Sequence, residues 1–125
     1  MVECWGVYRQ LGNGTTTPSN GVVLLSAVDG IQQLAATGFD HACAVFMGDT
    51  VRCWGVNTYG QLGNGSTSGE SAGEVIGITN ATLVEVGSSR TCARLRNGSV
   101  QCWGAGPLGN GTTTNSSVPV TVNGF

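Results

Sequence analysis

The sequence contains no lysine, and only 10% of its 125 residues carry a charge. Its five basic residues are all arginines, and seven acidic residues outnumber them, which gives a net charge of −2 and a pI near 5.0. Proteins that hold a nucleic-acid backbone neutralise several phosphates at once with basic side chains. The composition therefore argues against direct nucleic-acid binding and against a basic membrane-binding surface.

Long apolar runs are also missing. No segment approaches the roughly 20 residues of a membrane helix, and the first ten residues, MVECWGVYRQ, lack the apolar core of a secretory signal. We expect no membrane span. Because a repeated segment begins as early as the fourth residue, we expect the chain to be a piece of a longer protein whose targeting information lies elsewhere.

The sequence also lacks the side-chain sets that carry catalysis or bind metals. The only histidine is His41, no CxxC pair occurs, and no GxxxxGK[ST] phosphate loop is present. A nucleophile paired with a base and a cluster of carboxylates are both missing. We therefore predict no catalytic residue, no metal and no cofactor, and we expect His41 to hydrogen-bond the backbone near a turn.

One segment recurs along the chain. Residues 42–65 (ACAVFMGDTVRCWGVNTYGQLGNG) are similar to residues 91–111 (TCARLRNGSVQCWGAGPLGNG), and residues 4–14 (CWGVYRQLGNG) repeat the second half. Matching cysteines are 49 residues apart, from position 4 to 53 and from 53 to 102. Units of this length stack, as propeller blades do, because one unit cannot bury its apolar faces alone. We predict a single array over residues 1–125, divided into units at 1–52, 53–101 and 102–125.

The sequence predicts strands and tight turns throughout. Glycine is frequent, with 21 residues, and no 3.6-residue periodicity persists. Short apolar stretches between turn residues give four strands per unit. The predicted strands are Val22–Val28, Ile31–Ala36, Ala42–Met47, Val51–Trp54, Val75–Ile78, Leu83–Val86, Thr91–Leu95, Val100–Trp103 and Val118–Val122. In this prediction the four strands from Val75 to Trp103 form one unit.

Each complete hairpin carries cysteines ten positions apart, Cys43 with Cys53 and Cys92 with Cys102. A three-residue loop at 96–98, with glycine in the bulge position, places the second pair directly opposite each other. Opposed strand residues have Cβ atoms about 4.5–5.5 Å apart, a distance that a disulfide spans after modest adjustment. We predict two disulfides, with buried free thiols and, less favoured, a zinc site as the alternatives.

Cys4 stands where Cys53 and Cys102 stand in the later units, so its partner would lie upstream of Met1. Oxidised cysteine pairs would favour an extracytoplasmic or cell-surface location.

Several recurring residues are expected to be structural. The three tryptophans repeat with the unit, so we expect each ring to pack between neighbouring units, with carbohydrate or base stacking as the alternative. They are Trp5, Trp54 and Trp103. The recurring glycines are expected at turns and close backbone approaches. They include Gly38, Gly63 and Gly87.

Positions that break the repeat are better pointers to binding. The second complete hairpin has Arg90, Arg94 and Arg96 where the first has histidine, valine and methionine. These arginines are either solvated and paired with nearby acids, or in contact with an acidic partner. The spacing from the cysteine to the loop leucine also varies, from 4 to 11, from 53 to 62 and from 102 to 108. Loops of variable length usually occupy one rim of an array, where binding surfaces form.

The segment Cys53–Gly65, CWGVNTYGQLGNG, preceded by the glycine, histidine and alanine of Gly38 to Ala44, resembles the regulator of chromosome condensation repeat. Its W-G-x-N-x-x-G-Q-L-G core is complete in the middle unit and shortened at Trp5–Gly12 and Trp103–Gly109. The resemblance implies a β-propeller, commonly of seven blades, and the paired cysteines look like those of bacterial or surface variants. The expected fold is a partial β-propeller of four-stranded antiparallel blades, because seven units of 49 residues far exceed this chain.

Three functions are compatible with this sequence. The favoured one is a non-enzymatic scaffold that binds a protein through propeller loops. The second, implied by the resemblance, is guanine nucleotide exchange with chromatin association, although the exchange residues of that family cannot be placed here. The third is a structural surface or filament component that assembles through open blade edges. In each case the partner is a protein, which includes self-assembly or the remainder of a longer chain.

Overall fold

The computed structural model describes Glu3–Gly6, Ser19–Leu24 and residues 30–36, 41–68 and 73–124. Across these ranges the chain is built of strands and contains no helix, which confirms the all-β prediction. The strands are β1 (Glu3–Gly6), β2 (Ser19–Leu24), β3 (Ile31–Ala36), β4 (His41–Phe46), β5 (Val51–Gly55), β6 (Gly73–Glu74), β7 (Ala81–Gly87), β8 (Arg90–Leu95), β9 (Val100–Gly104) and β10 (Ser116–Thr121). It follows that the described ranges hold no helix capable of spanning a membrane.

The strands form two four-stranded antiparallel sheets and one separate pair, which confirms the predicted blade architecture. The middle sheet has the order β3-β4-β5-β6, the C-terminal sheet has the order β10-β9-β8-β7, and β1 pairs with β2. Each sheet is a meander in which consecutive strands are neighbours, and the sheets do not close into a ring. Cys53 and Cys102, where the sequence units begin, lie inside β5 and β9, so the sheets are offset from those units.

The predicted strand at Val75–Ile78 is wrong. β6 consists only of Gly73–Glu74, which pairs with β5, and a turn follows. Val75 and Ile78 are apolar because their side chains enter the core between the sheets. The fourth strand of the C-terminal sheet is instead β10, which follows the long loop and pairs with β9.

The main hydrophobic core lies between the two sheets. We call the face of a sheet that points toward later parts of the array its forward face, and the opposite face its rear face. The forward face of the middle sheet contributes Ala35, Cys43, Val45, Val51 and Cys53, and the rear face of the C-terminal sheet contributes Ala81, Val84, Ala93, Leu95 and Trp103. Full burial of a valine or leucine side chain stabilises a fold by about 1.5–3 kcal/mol, so the stacking of the sheets stabilises both.

Gln33 holds the edge of the C-terminal sheet. β7 is the edge strand, and its Val84 has backbone groups that no neighbouring strand pairs. The Gln33 side chain donates from Nε2 to the Val84 carbonyl at 2.8 Å and accepts from the Val84 amide at 2.7 Å. One side chain thus satisfies the edge strand as a neighbouring strand would.

Both predicted disulfides form. Cys43 lies directly opposite Cys53 and Cys92 opposite Cys102, with Cα–Cα distances of 4.1 Å in each pair. All four belong to forward faces. The first bridge is fully buried under the C-terminal sheet, whereas Cys92 is only half-buried. The side chain of Cys4 lies outside the described residues.

We expect the Cys92–Cys102 bridge to be reduced before the Cys43–Cys53 bridge under native conditions. An attacking reductant must reach a sulfur atom, and both sulfur-bearing residues of the first bridge have zero exposure. Limited phosphine reduction, alkylation and peptide mass mapping would give the order. Equal rates, or earlier labelling of Cys43 and Cys53, would contradict the burial of the first bridge.

Candidate functional site

The long loop after β5 is organised by Asn57. Its side-chain oxygen accepts the Leu62 amide at 3.0 Å, and its amide nitrogen donates to the carbonyls of Ser66 and Ser68 at 3.0 and 2.9 Å. Asn57 is 4% exposed. A short polar side chain that bonds nearby backbone fixes a turn without secondary structure, so this residue shapes the whole loop.

Gln61 links this loop to the C-terminal sheet through its backbone carbonyl. That oxygen accepts the indole N–H of Trp103 at 2.9 Å and the hydroxyl of Thr91 at 2.9 Å. The Gln61 side chain accepts the Tyr59 amide at 2.9 Å and so holds the carbonyl in place. The loop of one repeat therefore holds the tryptophan of the next.

His41 extends this network from the middle sheet. Its Nε2 lies 2.7 Å from the Thr91 hydroxyl oxygen, and both side chains are fully buried. A hydroxyl has one proton. Because Thr91 donates that proton to Gln61, His41 donates from Nε2 to Thr91. The expected hydrogen bond of His41 to the backbone stays a prediction, and the structure shows one to a threonine hydroxyl of the neighbouring sheet.

Two glycines permit this close packing. Gly63 has a φ of 66°, and a Cβ there would lie 2.7 Å from the Trp103 indole nitrogen. Gly104 has a φ of 102°, and its Cβ would lie 2.5 Å from the Ser89 carbonyl. Gly87 differs, because it ends β7 with room for a Cβ, whose nearest neighbour would be an Arg90 side-chain atom at 3.5 Å. Gly38 lies outside the described residues.

The tryptophans are structural wherever their side chains are described. Trp103 is fully buried between the two sheets. Trp54 is equally buried, on the rear face of the middle sheet with Ala42, Ala44 and Phe46. Trp5 belongs to β1, but its side chain lies outside the described residues. Buried indole rings leave no surface for stacking on a carbohydrate or a base.

The structure does not bring the three arginines into one patch. Arg90 stands at the start of β8 and donates to the Pro107 carbonyl at 3.0 Å. Arg96 lies beyond the other end of β8, where its Nε and Nη2 contact Asp49 at 2.7 and 2.5 Å. Arg94 lies between them on the forward face and is exposed. Six strand residues span roughly 20 Å, so Arg90 and Arg96 serve opposite ends of the sheet.

The two ends of the stacked sheets differ in kind. At the hairpin end are the tight turns 47–50 and 96–99, joined by the Asp49–Arg96 ion pair. At the loop end are the long loops 56–68 and 105–115. In the two units whose loops are described, the variable spacing between cysteine and leucine therefore maps to the loop end.

Both described long loops share one local turn. Asn64 accepts the amide of Ser66 at 3.0 Å, and Asn110 accepts the amide of Thr112 at 3.1 Å. Hydroxyl pairs follow in both loops, at 2.8 and 2.9 Å. Their sequences differ elsewhere, since the second loop has no counterpart of Asn57 and uses Asn115 to accept the Gly106 amide at 3.0 Å. The asparagine turn is therefore constant between the two loops, whereas the residues around it differ.

The sulfur and imidazole groups of this region are taken up by the structure. The only histidine of the chain is buried in the interface between the sheets, and the four cysteines with described side chains form disulfides. Within the described ranges, no group of three or more histidine, cysteine, aspartate or glutamate side chains is arranged to hold a metal. The exposed side chains at the loop end are mainly hydroxyls, together with Pro107, Asn115 and one aromatic ring, Tyr59, which is 45% exposed.

Sequence reasoning missed the polar residues of the interface. Gln33, Gln61 and Thr91 each make hydrogen bonds that join a loop or a sheet to its neighbour. Asn57 makes hydrogen bonds that hold its own loop together. Asn57 and Gln61 were visible as part of a motif, but a motif does not say which backbone groups its side chains meet. Gln33 and Thr91 carried no repeating signal.

We expect Thr91→Val to lower the free energy of unfolding by about 1–3 kcal/mol. The valine keeps the shape but removes two buried hydrogen bonds, to His41 and to the Gln61 carbonyl. Thr91→Ser is the matched control, because it keeps the hydroxyl and loses one methyl group, about 0.8 kcal/mol. Denaturant unfolding would measure both variants, and a valine variant as stable as the serine variant would disprove the role of the hydroxyl.

The Asp49–Arg96 pair is expected to contribute less than about 1 kcal/mol and to weaken in high salt. The Arg96 side chain is 65% exposed, so water screens the pair. A double-mutant cycle with Arg96→Gln and Asp49→Asn, repeated at low and high ionic strength, would isolate the coupling energy. A larger coupling that salt leaves unchanged would contradict this account.

Comparison with known proteins agrees with this geometry. The family model of the regulator of chromosome condensation (RCC1) repeat matches residues 31–61 and 81–110. Among solved structures, human WBSCR16 is 25% identical with a TM-score of 0.80, over 95% of this chain and 32% of that one. The chain thus spans about a third of the length of this solved relative.

Two further similar structures are yeast proteins. Prp20p from Saccharomyces cerevisiae, described with its binding properties to Gsp1p and histones, is 18% identical with a TM-score of 0.71, over 96% of this chain and 32% of that one. Yeast RCC1 (Prp20), in a complex with Kap60, is 17% identical with a TM-score of 0.73, over 94% and 30%. At these identities the likeness shows the fold. Together with the repeat match and the stacked blades, it shows that the chain belongs to the RCC1 repeat family.

Proposed function

We propose that this chain is a non-enzymatic repeat scaffold that binds a protein through the loop end of its blades. The supporting observation is that the loop 56–68 has one set of residues for structure and another that is exposed. Asn57 holds the loop together and Gln61 binds the next blade, while Tyr59 and Thr67 of the same loop face solvent. Loops on a rigid support are where binding residues concentrate.

Tyr59 is the best candidate for a partner contact. Its backbone amide is fixed by Gln61, and its side chain is 45% exposed at the loop end. The chain has two tyrosines, and the other, Tyr8, also stands three residues before a leucine, Leu11, in the sequence. Tyrosine gives large contact area at low entropic cost and is enriched among residues that dominate binding energy.

The proposed partner is a protein, as the likeness to known structures suggests. Prp20p is described with Gsp1p and histones, and the yeast RCC1 protein is bound to Kap60. These partners belong to those proteins. For this chain, nucleotide exchange and chromatin association stay predictions that no contact in the described residues favours. The two disulfides support placing the chain in an oxidising compartment.

Site-specific photo-crosslinking tests the proposed surface. A photoreactive phenylalanine is placed at Tyr59, Thr67 or Thr113 on the loop end, and at Met47 or Asn97 on the hairpin end as controls. We expect loop-end positions to capture the same protein from extracts of the source organism, and hairpin-end positions to capture none. Adducts only at the hairpin end would contradict the proposal.

With the captured protein purified, Tyr59→Ala is expected to weaken its binding about tenfold or more, as loss of a central aromatic contact does. Asn97→Ala, at the hairpin end, is the control and should leave the affinity unchanged. Equal effects of the two substitutions would place the binding surface elsewhere.

A further inference from the structure

The forward face of the C-terminal sheet is the counterpart of a face that is already covered. Pairing registers match Ala35 of β3 with Glu85 of β7, since each lies opposite the first cysteine of its hairpin. By the same registers Val45 corresponds to Arg94. The covered face packs against β7 of the following sheet. The counterpart face therefore has the position and strand geometry of a blade-docking surface.

The residues that join the first interface are replaced on this second face. The edge-holding glutamine Gln33 corresponds to Leu83, and the buried Val45 corresponds to Arg94. His41 of the polar network corresponds to Arg90. The second face therefore lacks the groups that hold β7 against the middle sheet.

The loop that should receive the next blade is changed as well. Aligned on the loop leucine, Pro107 stands where Gln61 stands in the preceding unit. The Gln61 carbonyl accepts Trp103 and Thr91 of the following blade, whereas the Pro107 carbonyl accepts Arg90 of its own blade at 3.0 Å. A blade that docks here meets the Arg90 guanidinium group at the point where the first interface has the carbonyl that accepts Trp103 and Thr91.

An apolar groove of about 220 Å³ runs across this face, lined by Leu83, Glu85, Cys92, Ala93, Arg94 and Val100. Arg94 stands over it. Among the described residues, no carboxylate lies within ion-pair distance of the Arg94 guanidinium, and Glu85 is the only acidic residue of the groove. The face thus combines an apolar floor with a cation that forms no ion pair with the described residues of its own blade.

We propose that this face docks a further blade of the same repeat type that carries a carboxylate opposite Arg94, and that it rejects the purely apolar surface that covers the middle sheet. The stacking of blades is a property of the fold. What this face adds is selectivity for the residue that lies opposite Arg94. The chain spans about a third of the length of its solved relative, so further blades of a longer polypeptide are the natural occupant. The inference concerns a surface separate from the loop end and does not depend on the proposed function.

The physical reason is the cost of burying a charge. A blade with only apolar residues in its facing strand would strip water from Arg94 without replacing it, which is unfavourable, whereas a carboxylate would pair with it. The same cost discourages copies of this chain from stacking end to end through an apolar face. Arginine in place of valine therefore selects one neighbour and excludes others.

Strand peptides test the specificity. The probes are three synthetic peptides: the β7 sequence ATLVEVG, which covers the middle sheet, and the same peptide with Val84→Glu or Val84→Lys. Binding to the full chain is followed by NMR shifts of the Leu83 and Val100 methyl groups and by protection of the Cys92–Cys102 bridge from reductant. We expect the glutamate peptide to bind about fivefold to tenfold more tightly than the parent peptide and the lysine peptide more weakly.

Arg94→Gln should abolish the advantage of the glutamate peptide. Arg96→Gln, which removes the same charge from the same hairpin, should preserve it. Equal binding of the three peptides, no binding of any, or the same loss in both variants would overturn the proposal.

A second measurement tests whether this face prevents further copies of the chain from stacking on it. Arg94→Val combined with Glu85→Ala restores the residues of the covered face, and sedimentation velocity should show more self-association than in the unmodified chain. Thr121→Val, which adds apolar surface on β10, is the control and should behave as the unmodified chain does. An unmodified chain that stacks as strongly as the double variant would show that a second copy is the occupant and contradict the proposal.

Discussion

A buried hydrogen-bonding group must find a partner, and in this chain the partner of one repeat is supplied by the next. The indole N–H of Trp103 enters the core between two sheets and donates to the carbonyl of Gln61, which belongs to the loop of the preceding repeat. Leaving such a donor unpaired in the interior costs about 1–3 kcal/mol. The loop, the tryptophan and the stacking of the sheets therefore form together, and the glycine beside the ring is required because no Cβ fits there.

This constraint separates the structural part of the repeat from the part available for recognition. Asn57, Gln61 and Leu62 are used in the loop and the interface, and their side chains face inward. Tyr59 and Thr67 lie at the rim of the same loop, and their exposed side chains do not contribute to the interface. Forward faces follow the same division: the covered face of the middle sheet is apolar, whereas its counterpart on the C-terminal sheet carries charges. Function in this family member is therefore expected where the repeat is broken.

The sequence predicted the fold well because periodic signals report repeated surroundings. The strands, the hairpin register and both disulfides followed from apolar stretches and from cysteines ten positions apart. The error at Val75–Ile78 has a clear cause, since buried side chains on a turn look like a strand in a single sequence. The candidate site was less predictable. The stacking of the two sheets determines which end of a strand each arginine side chain approaches and which carbonyl each polar side chain contacts. No local sequence pattern encodes that stacking.

The most direct measurement of the central claim is hydrogen exchange at the Trp103 indole N–H, followed by NMR in the oxidised chain. If the Gln61 carbonyl accepts a hydrogen bond from this N–H inside the packed interface, exchange should be far slower than that of a solvent-exposed indole, because it requires the two sheets to separate. Exchange at the rate of a solvent-exposed indole would show that the loop of one repeat does not hold the tryptophan of the next.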